Sequence, residues 1–400
     1  MAKETYLVLP EWFLDGTGSS AKERGAVLVQ EGRISRVYSE PPPASDLPPS
    51  CQVLDLPGAT LLPGLIDAHV HLCLPGNGTL LPQAVAEPRG VIQSIALRNA
   101  NVALRSGITT LRDCGGFPDV LSSLRRAIDL GYGDGPRLVL AGWPLTTTGG
   151  HCYYFGGEAD GPQGVREKVR AATKLGADYV KVMGSGGGTP GTIIWRASFD
   201  QEEVAALIDE AHRLTRKVII HCLCAEAIEQ AVVAGADEVE HGYFFVDPDT
   251  TRFDSNIAEA VAKARIPVCP TLSVSRFVIA AGDPDAERRK HIQSQILANA
   301  SSLRSKGVPF VAGSDAGWLW SPFNALHAEL ELMTQIGLSP AECIVAATSG
   351  AATQIGLGKV TGTIRSGLMA DLLAVRGRPD VDIRVLAHVA MVMKEGYRIV

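Results

Sequence analysis

Pro63-Gly64-Leu65-Ile66-Asp67-Ala68-His69-Val70-His71 has β-strand character, ends the first of the expected barrel strands and closes on two histidines spaced two apart. In a strand, residues i and i+2 face the same side. His69 and His71 therefore point off one strand end together, where two imidazoles can share one metal. Two hydrogen-bonded core histidines are the alternative these residues leave open.

Outward from this stretch, residues 60–350 alternate short apolar runs with segments of helical period, the pattern of βα units on a parallel sheet. The strands are expected at 61–72, 108–114, 137–142, 179–183, 217–223, 238–242, 267–274 and 308–313, with helices such as 83–105, 164–175, 202–214, 225–234, 256–264 and 286–303 between them. Eight units over this length predict an α/β fold, a TIM-type (β/α)8 barrel spanning residues 58–358, rather than an open doubly wound sheet. Residues 1–57 and 359–400 have the texture of short strands around turns at Glu31-Gly32 and Glu395-Gly396, and are expected to form one small β-sandwich from both chain ends. The Pro-rich stretch from Pro41 to Pro49 reads as a surface loop.

Three further expected strands carry a ligand-type residue, Lys181, His221 and His241, and the eighth leads to Asp315 in Gly313-Ser314-Asp315-Ala316-Gly317. All are expected at the strands' C-terminal ends, the face on which TIM-barrel active sites are built. Four of the chain's nine histidines belong to this set, which chance placement would rarely produce. An isolated Lys181 ammonium on an apolar strand is costly to bury, and beside cations it is repelled. Carboxylated, it becomes an anion able to bridge two metals. A lysine paired with an acid across the barrel is the alternative.

Composition narrows the function classes. With 400 residues, 46% hydrophobic and 20% charged, the chain can bury a large core, and a net charge of -6 without a Lys/Arg block excludes a polyanion footprint, so no nucleic-acid partner is expected. The start Met1-Ala2-Lys3-Glu4 lacks the apolar stretch of a secretory signal, and no apolar run is long enough to span a bilayer, so no membrane partner is expected. Eight cysteines without CxxC spacing read as packing thiols, Cys222 and Cys224 included, and fit a cytoplasmic location.

Taken together, the His69/His71 stretch, the strand lysine, two strand histidines and the eighth-strand aspartate resemble the amidohydrolase superfamily. The likeness covers nearly the whole chain, including Gly358-Lys359-Val360-Thr361-Gly362-Thr363-Ile364 and Gly367-Leu368-Met369-Ala370-Asp371-Leu372 after the barrel. It looks closest to the branch of imidazolonepropionase-like proteins, Xaa-Pro and Xaa-Arg dipeptidases and ochratoxin-degrading amidohydrolases. That resemblance implies two divalent metal ions, with zinc expected. It makes His69 and His71 ligands of the buried metal, Lys181 the carboxylated bridge, His221 and His241 ligands of the exposed metal, and Asp315 ligand and base. The family's Gly-Gly-His segment matches Gly149-Gly150-His151, implying that His151 hydrogen-bonds the substrate carbonyl as charge develops; a loop-satisfied histidine is the alternative. His241, His151 and Asp315 form the expected catalytic set, and a homo-oligomer is expected.

The expected reaction is hydrolysis of an amide or peptide-like C–N bond in a small molecule by metal-activated hydroxide, with Asp315 as base. Aromatic residues crowd the expected loops, and Tyr153, Tyr154, Trp195, Trp318 and Trp320 are read as contacts for an apolar or aromatic group. Dipeptidases of the branch commonly place a tyrosine after the fifth-strand histidine. Here Cys222-Leu223-Cys224 follows His221, leaving Arg196 and Arg276 as the loop arginines, with Arg276 the candidate contact. Carbamate, ester or cyclic amide hydrolysis is the alternative, ahead of a dipeptidase or a barrel without catalysis. Gly184-Ser185-Gly186-Gly187-Gly188 lacks the Lys-Ser/Thr ending of a phosphate cradle and reads as a flexible loop over the metals.

Overall fold

The computed structural model describes residues 4–400. At Pro63-Gly64 the chain changes sheets. Cys51–Pro63 pairs with Thr5–Phe13 and Leu372–Arg376, whereas Leu65–Val70 pairs with Ile108–Asp113, so the single strand expected over 61–72 is two strands in two sheets. A Cβ on Gly64 would lie 2.3 Å from the Thr109 side chain, so the crossover needs a residue without one.

Both chain ends build the first sheet. Its order is Tyr397–Arg398, Val389–Lys394, Leu372–Arg376, Cys51–Pro63, Thr5–Phe13, Ala26–Gln30 and Arg33–Tyr38, with Lys22–Glu23 beside Thr5–Phe13. The two expected hairpin turns are present: Glu31-Gly32 and Glu395-Gly396 each have φ of 51° and 80°, the doubly left-handed geometry that matches strand twist in a two-residue loop. The Pro-rich stretch is a largely exposed loop with one 3-10 turn at Ala44–Asp46.

The middle of the chain carries two parallel arcs. One holds Leu65–Val70, Ile108–Asp113 and Arg137–Leu140; the other holds Pro144–Leu145, Val180–Met183, Val218–Cys224, Glu238–Phe245 and Val268–Cys269. The expected third strand thus ends at Leu140, and a further short strand at Pro144–Leu145 continues it in the other arc. At their far ends both arcs bond to residues 308–316. Phe310 bridges Val268, Ala316 bridges Val70, and Asp315 donates its N–H to the His69 carbonyl at 2.8 Å. This segment makes isolated bridges instead of the expected ladder, since Pro309 has no N–H to donate and Asp315 is left-handed at φ 56°.

Helices flank the strands. In Pro118–Asp129 the buried residues Val120, Leu121, Leu124 and Ile128 form one apolar stripe, and each such buried side chain contributes roughly 1.5–3 kcal/mol. The helix expected over 83–105 breaks into Leu81–Ala86 and Arg89–Arg105, because Pro88 lacks the N–H to continue it. The strand expected to reach residue 274 stops at Cys269, and Ser273–Ala280 is a helix whose first N–H groups, from Leu272 and Ser273, donate to buried Glu329 at 2.8 and 2.7 Å. All eight cysteines are free. Among the described residues no helix is long and apolar enough to cross a membrane.

An ion pair ties the terminal sheet to the three-stranded arc. Arg137 donates to Asp371 at 2.6 Å and to Glu395 at 2.7 Å, and the Asp371 side chain is fully buried. Arg137→Ala strands that carboxylate, so urea unfolding is expected to show a loss of roughly 3 kcal/mol. An unchanged midpoint would refute the clip.

Candidate functional site

Period-two alternation sends Glu238 and Glu240 of strand Glu238–Phe245 to the same side, which would turn His241 away from it. The backbone overrides this. His241 has φ 67°, and the ladder between Cys222 and Cys224 skips two residues, so both Glu240 and His241 face the ligand cluster. Left-handed backbone at a residue with a Cβ costs about 1–3 kcal/mol, and here it delivers a ring to the site.

His69, His71, His151, Lys181, His221, His241 and Asp315 all line one cavity of about 120 Å³. The ring centroids of His69 and His71 are 5.3 Å apart, those of His69 and His241 5.2 Å, and those of His221 and His241 4.5 Å. Strands extend past His221 to Cys224 and past His241 to Phe245, so these two are not terminal as expected. Lys181 is deeper still, since its neighbour across the ladder is Ile219 while Met183 stands opposite His221. Its long side chain spans the difference.

Neighbours fix one nitrogen of each ring. His71 Nδ1 lies 3.2 Å from the Gly115 carbonyl and His221 Nε2 lies 3.1 Å from the Gly186 carbonyl. A carbonyl accepts only from N–H, which leaves lone pairs on His71 Nε2 and His221 Nδ1. His241 Nδ1 meets the Thr271 hydroxyl at 2.7 Å, and His151 Nδ1 meets that of Thr189 at 2.9 Å. Asp315 Oδ1 stands 3.6 Å from His69 Nε2 and 3.4 Å from His71 Nε2, buried and without a hydrogen-bond donor. Ligand atoms of His69, His71 and Asp315 all fall within 4.8 Å of one another, a group that could hold a cation. Burial pushes the imidazoles of His69 and His221 well below their ordinary range and those of His151 and His241 down to about 3, so the rings are neutral and able to ligate. Burial alone would raise the Asp315 carboxyl. The neighbouring His71 ring is the largest opposing influence, and the group is held below its usual value.

Under these ligands lies a group of buried charges, which includes the pairing of Lys181 with an acid across the arcs that the sequence leaves open as the alternative, here with Glu240. The Lys181 ammonium contacts the Glu240 carboxylate, and His69 Nδ1 is 3.1 Å from Glu240 Oε1. Arg112 forks onto Glu238, reaches Glu240 at 3.4 Å, and donates Nε–H to the Ala68 carbonyl at 2.6 Å. Asp67, pushed up to about 6 by burial, accepts from the backbone of His69 and Ser314 and so ties the first strand to the Asp315 segment.

The aromatic candidates are dispersed. Trp318 lines the cavity, with its ring 5.6 Å from that of His151. Tyr153 and Tyr154 stack on each other at 4.0 Å in a 3-10 turn, Trp195 and Trp320 are exposed, Arg276 pairs with Glu331, and none of the five is among the cavity-lining residues. Around Gly187 the glycines serve close approach: a Cβ there would stand 2.4 Å from His151 Nε2.

Residues 60–399 match the family described as Amidohydrolase family. An ochratoxinase from Aspergillus niger is 28% identical over 366 residues, covering 81% of this chain and 72% of that protein. An imidazolonepropionase from Rhizorhabdus wittichii is 27% identical over 395 residues, covering 89% of each. The crystal structure of a Xaa-Pro dipeptidase with bound methionine in its active site superposes with a TM-score of 0.87 at 29% identity, covering 99% of both chains.

In metal-free protein, Glu240→Gln replaces the carboxylate against the buried Lys181 side chain with a neutral amide. Chemical denaturation is expected to show a loss of about 3–5 kcal/mol, and a loss below about 1 kcal/mol would mean that Glu240 is not the counter-charge.

Proposed function

The chain belongs to the amidohydrolase family, and from that membership we propose a binuclear hydrolase that cleaves an amide C–N bond in a small molecule. The observation that carries this reading is the meeting of His69, His71 and Asp315 ligand atoms within 4.8 Å, with Lys181, His221 and His241 on the same cavity wall. Bridges from residues 308–316 to both parallel arcs support one closed (β/α)8 barrel with these side chains at one mouth.

His69, His71 and Asp315 would hold one cation and His221 with His241 the other, with Lys181 between them as a carbamate. The partly offset charges of Asp315 and an anionic Lys181 suit a pair of divalent ions such as zinc. Bound there, the ions supply Lewis acidity at a carbonyl and lower the pKa of water. Asp315, held ionised by its surroundings, takes the proton of the attacking water and passes it to the departing nitrogen. The OH of water ends on the acyl carbon and the remaining proton on the amine. His151 serves the carbonyl oxygen. The Thr189 hydroxyl accepts the Cys152 N–H at 3.0 Å, so its own proton is available to His151 Nδ1, and the ring proton then sits on Nε2 as a neutral donor. Glu240 braces His69 from behind and fixes its ring orientation.

Elemental analysis of gently purified protein is expected to give about two divalent ions per chain, and a value near zero would end the proposal. In a screen of N-acyl amino acids, anilides and carbamates, Asp315→Asn is expected to lower kcat by roughly 10²–10⁴ while circular dichroism stays unchanged. Retained turnover would assign the base to another group.

A further inference from the structure

The metal-facing cavity has an apolar neighbour. A second cavity of about 120 Å³ shares Gly188 and Trp318 with it and is walled by Leu74, Leu81, Pro82 and Leu319. The two cavities meet at a close contact: a Cβ on Gly188 would stand 2.5 Å from Trp318 Cζ2, so the indole packs directly on the glycine. Nothing bulkier than backbone and one indole separates the carbonyl end of a ligand from an oily compartment large enough for an aryl group.

Charge is the second observation. Among the described residues lining the two cavities, Lys181 is the one lysine or arginine, and it lies in the metal-facing cavity against Glu240, not in the apolar one. Arg276, the loop arginine that could have met a free carboxylate, is paired with Glu331 outside both cavities. A substrate carboxylate seated in the Leu74/Leu81 compartment, away from the proposed cations, would lose its water without gaining a guanidinium, which is costly.

We propose that the substrate is an uncharged N-aryl amide or carbamate, with its carbonyl among His69, His71 and Asp315 and its apolar group in the Leu74/Leu81 compartment across Trp318. This rests on the C–N hydrolase reading above. The bond broken is the C–N bond; the acyl carbon gains OH, the aryl amine gains the proton, and no electrons change hands.

The test uses propananilide and the same anilide bearing a para-carboxylate, with metal-loaded protein and released aniline as the readout. The neutral compound is expected to be cleaved with a kcat/KM at least about 100-fold higher. Leu80→Arg, at a rim position that is 59% exposed and tolerant of change, is expected to narrow that ratio by about 10-fold. Binding to metal-free protein is followed by tryptophan quenching, expected with the neutral anilide, absent with the charged one, and lost in Trp318→Phe. Equal cleavage or equal binding of the two compounds overturns the inference while leaving the C–N hydrolase reading standing. Selective binding of the neutral compound with cleavage of aryl esters alone overturns the C–N reading and leaves the apolar compartment in place.

Discussion

Burying charge is the constraint on which the site depends. Arg112, Lys181, Glu238 and Glu240 are all fully buried between the arcs, and the formal charges of two bases and two acids sum to zero. Removing any one leaves a neighbour uncompensated in a medium that solvates charge poorly. The cluster also sets the floor of the cavity, since Glu240 touches both Lys181 and His69, and Arg112 holds the Ala68 carbonyl next to that histidine. On the proposed carbamate, Lys181 passes from +1 to −1 and the floor becomes anionic. Only cations above it restore the balance, so the charges below would make metal retention and lysine chemistry mutually dependent.

Much of the site was legible because it obeys strand periodicity. His69 and His71 share a side by spacing alone, and their rings are indeed neighbours. Glu240 was not legible for the same reason: a residue adjacent to an inward histidine is expected to face away, and only the left-handed backbone at His241 admits both. Thr189 and Thr271 were equally hidden. They act by fixing ring protons from loops that carry no periodic signal. Lys181 was read correctly as an inward residue but set too near the rim, because counting residues along a strand says nothing of how far four methylenes reach.

In the fold, the alternation of units was legible and the seams between them were not. Pro63-Gly64 was read as part of one strand over 61–72 and is where the chain leaves one sheet for another. The segment around Phe310 was read as a regular strand, yet Pro309 and the left-handed Asp315 reduce it to bridges. Loop aromatics proved the least informative signal. An indole or phenol gains as much by packing on a neighbouring loop as by facing a cavity, and of Tyr153, Tyr154, Trp195, Trp318 and Trp320 only Trp318 lines the cavity.

The sheet made from both chain ends has a consequence for synthesis on the ribosome. Thr5–Phe13 and Cys51–Pro63 can join early, but the other edge of Cys51–Pro63 waits for Leu372–Arg376, translated more than 300 residues later. For most of its translation the nascent chain therefore exposes an unpaired edge, the kind of surface on which chains aggregate. The last thirty residues act as the latch that ends this exposure, and a transcript truncated shortly before them would yield a polypeptide suited to chaperone capture and degradation.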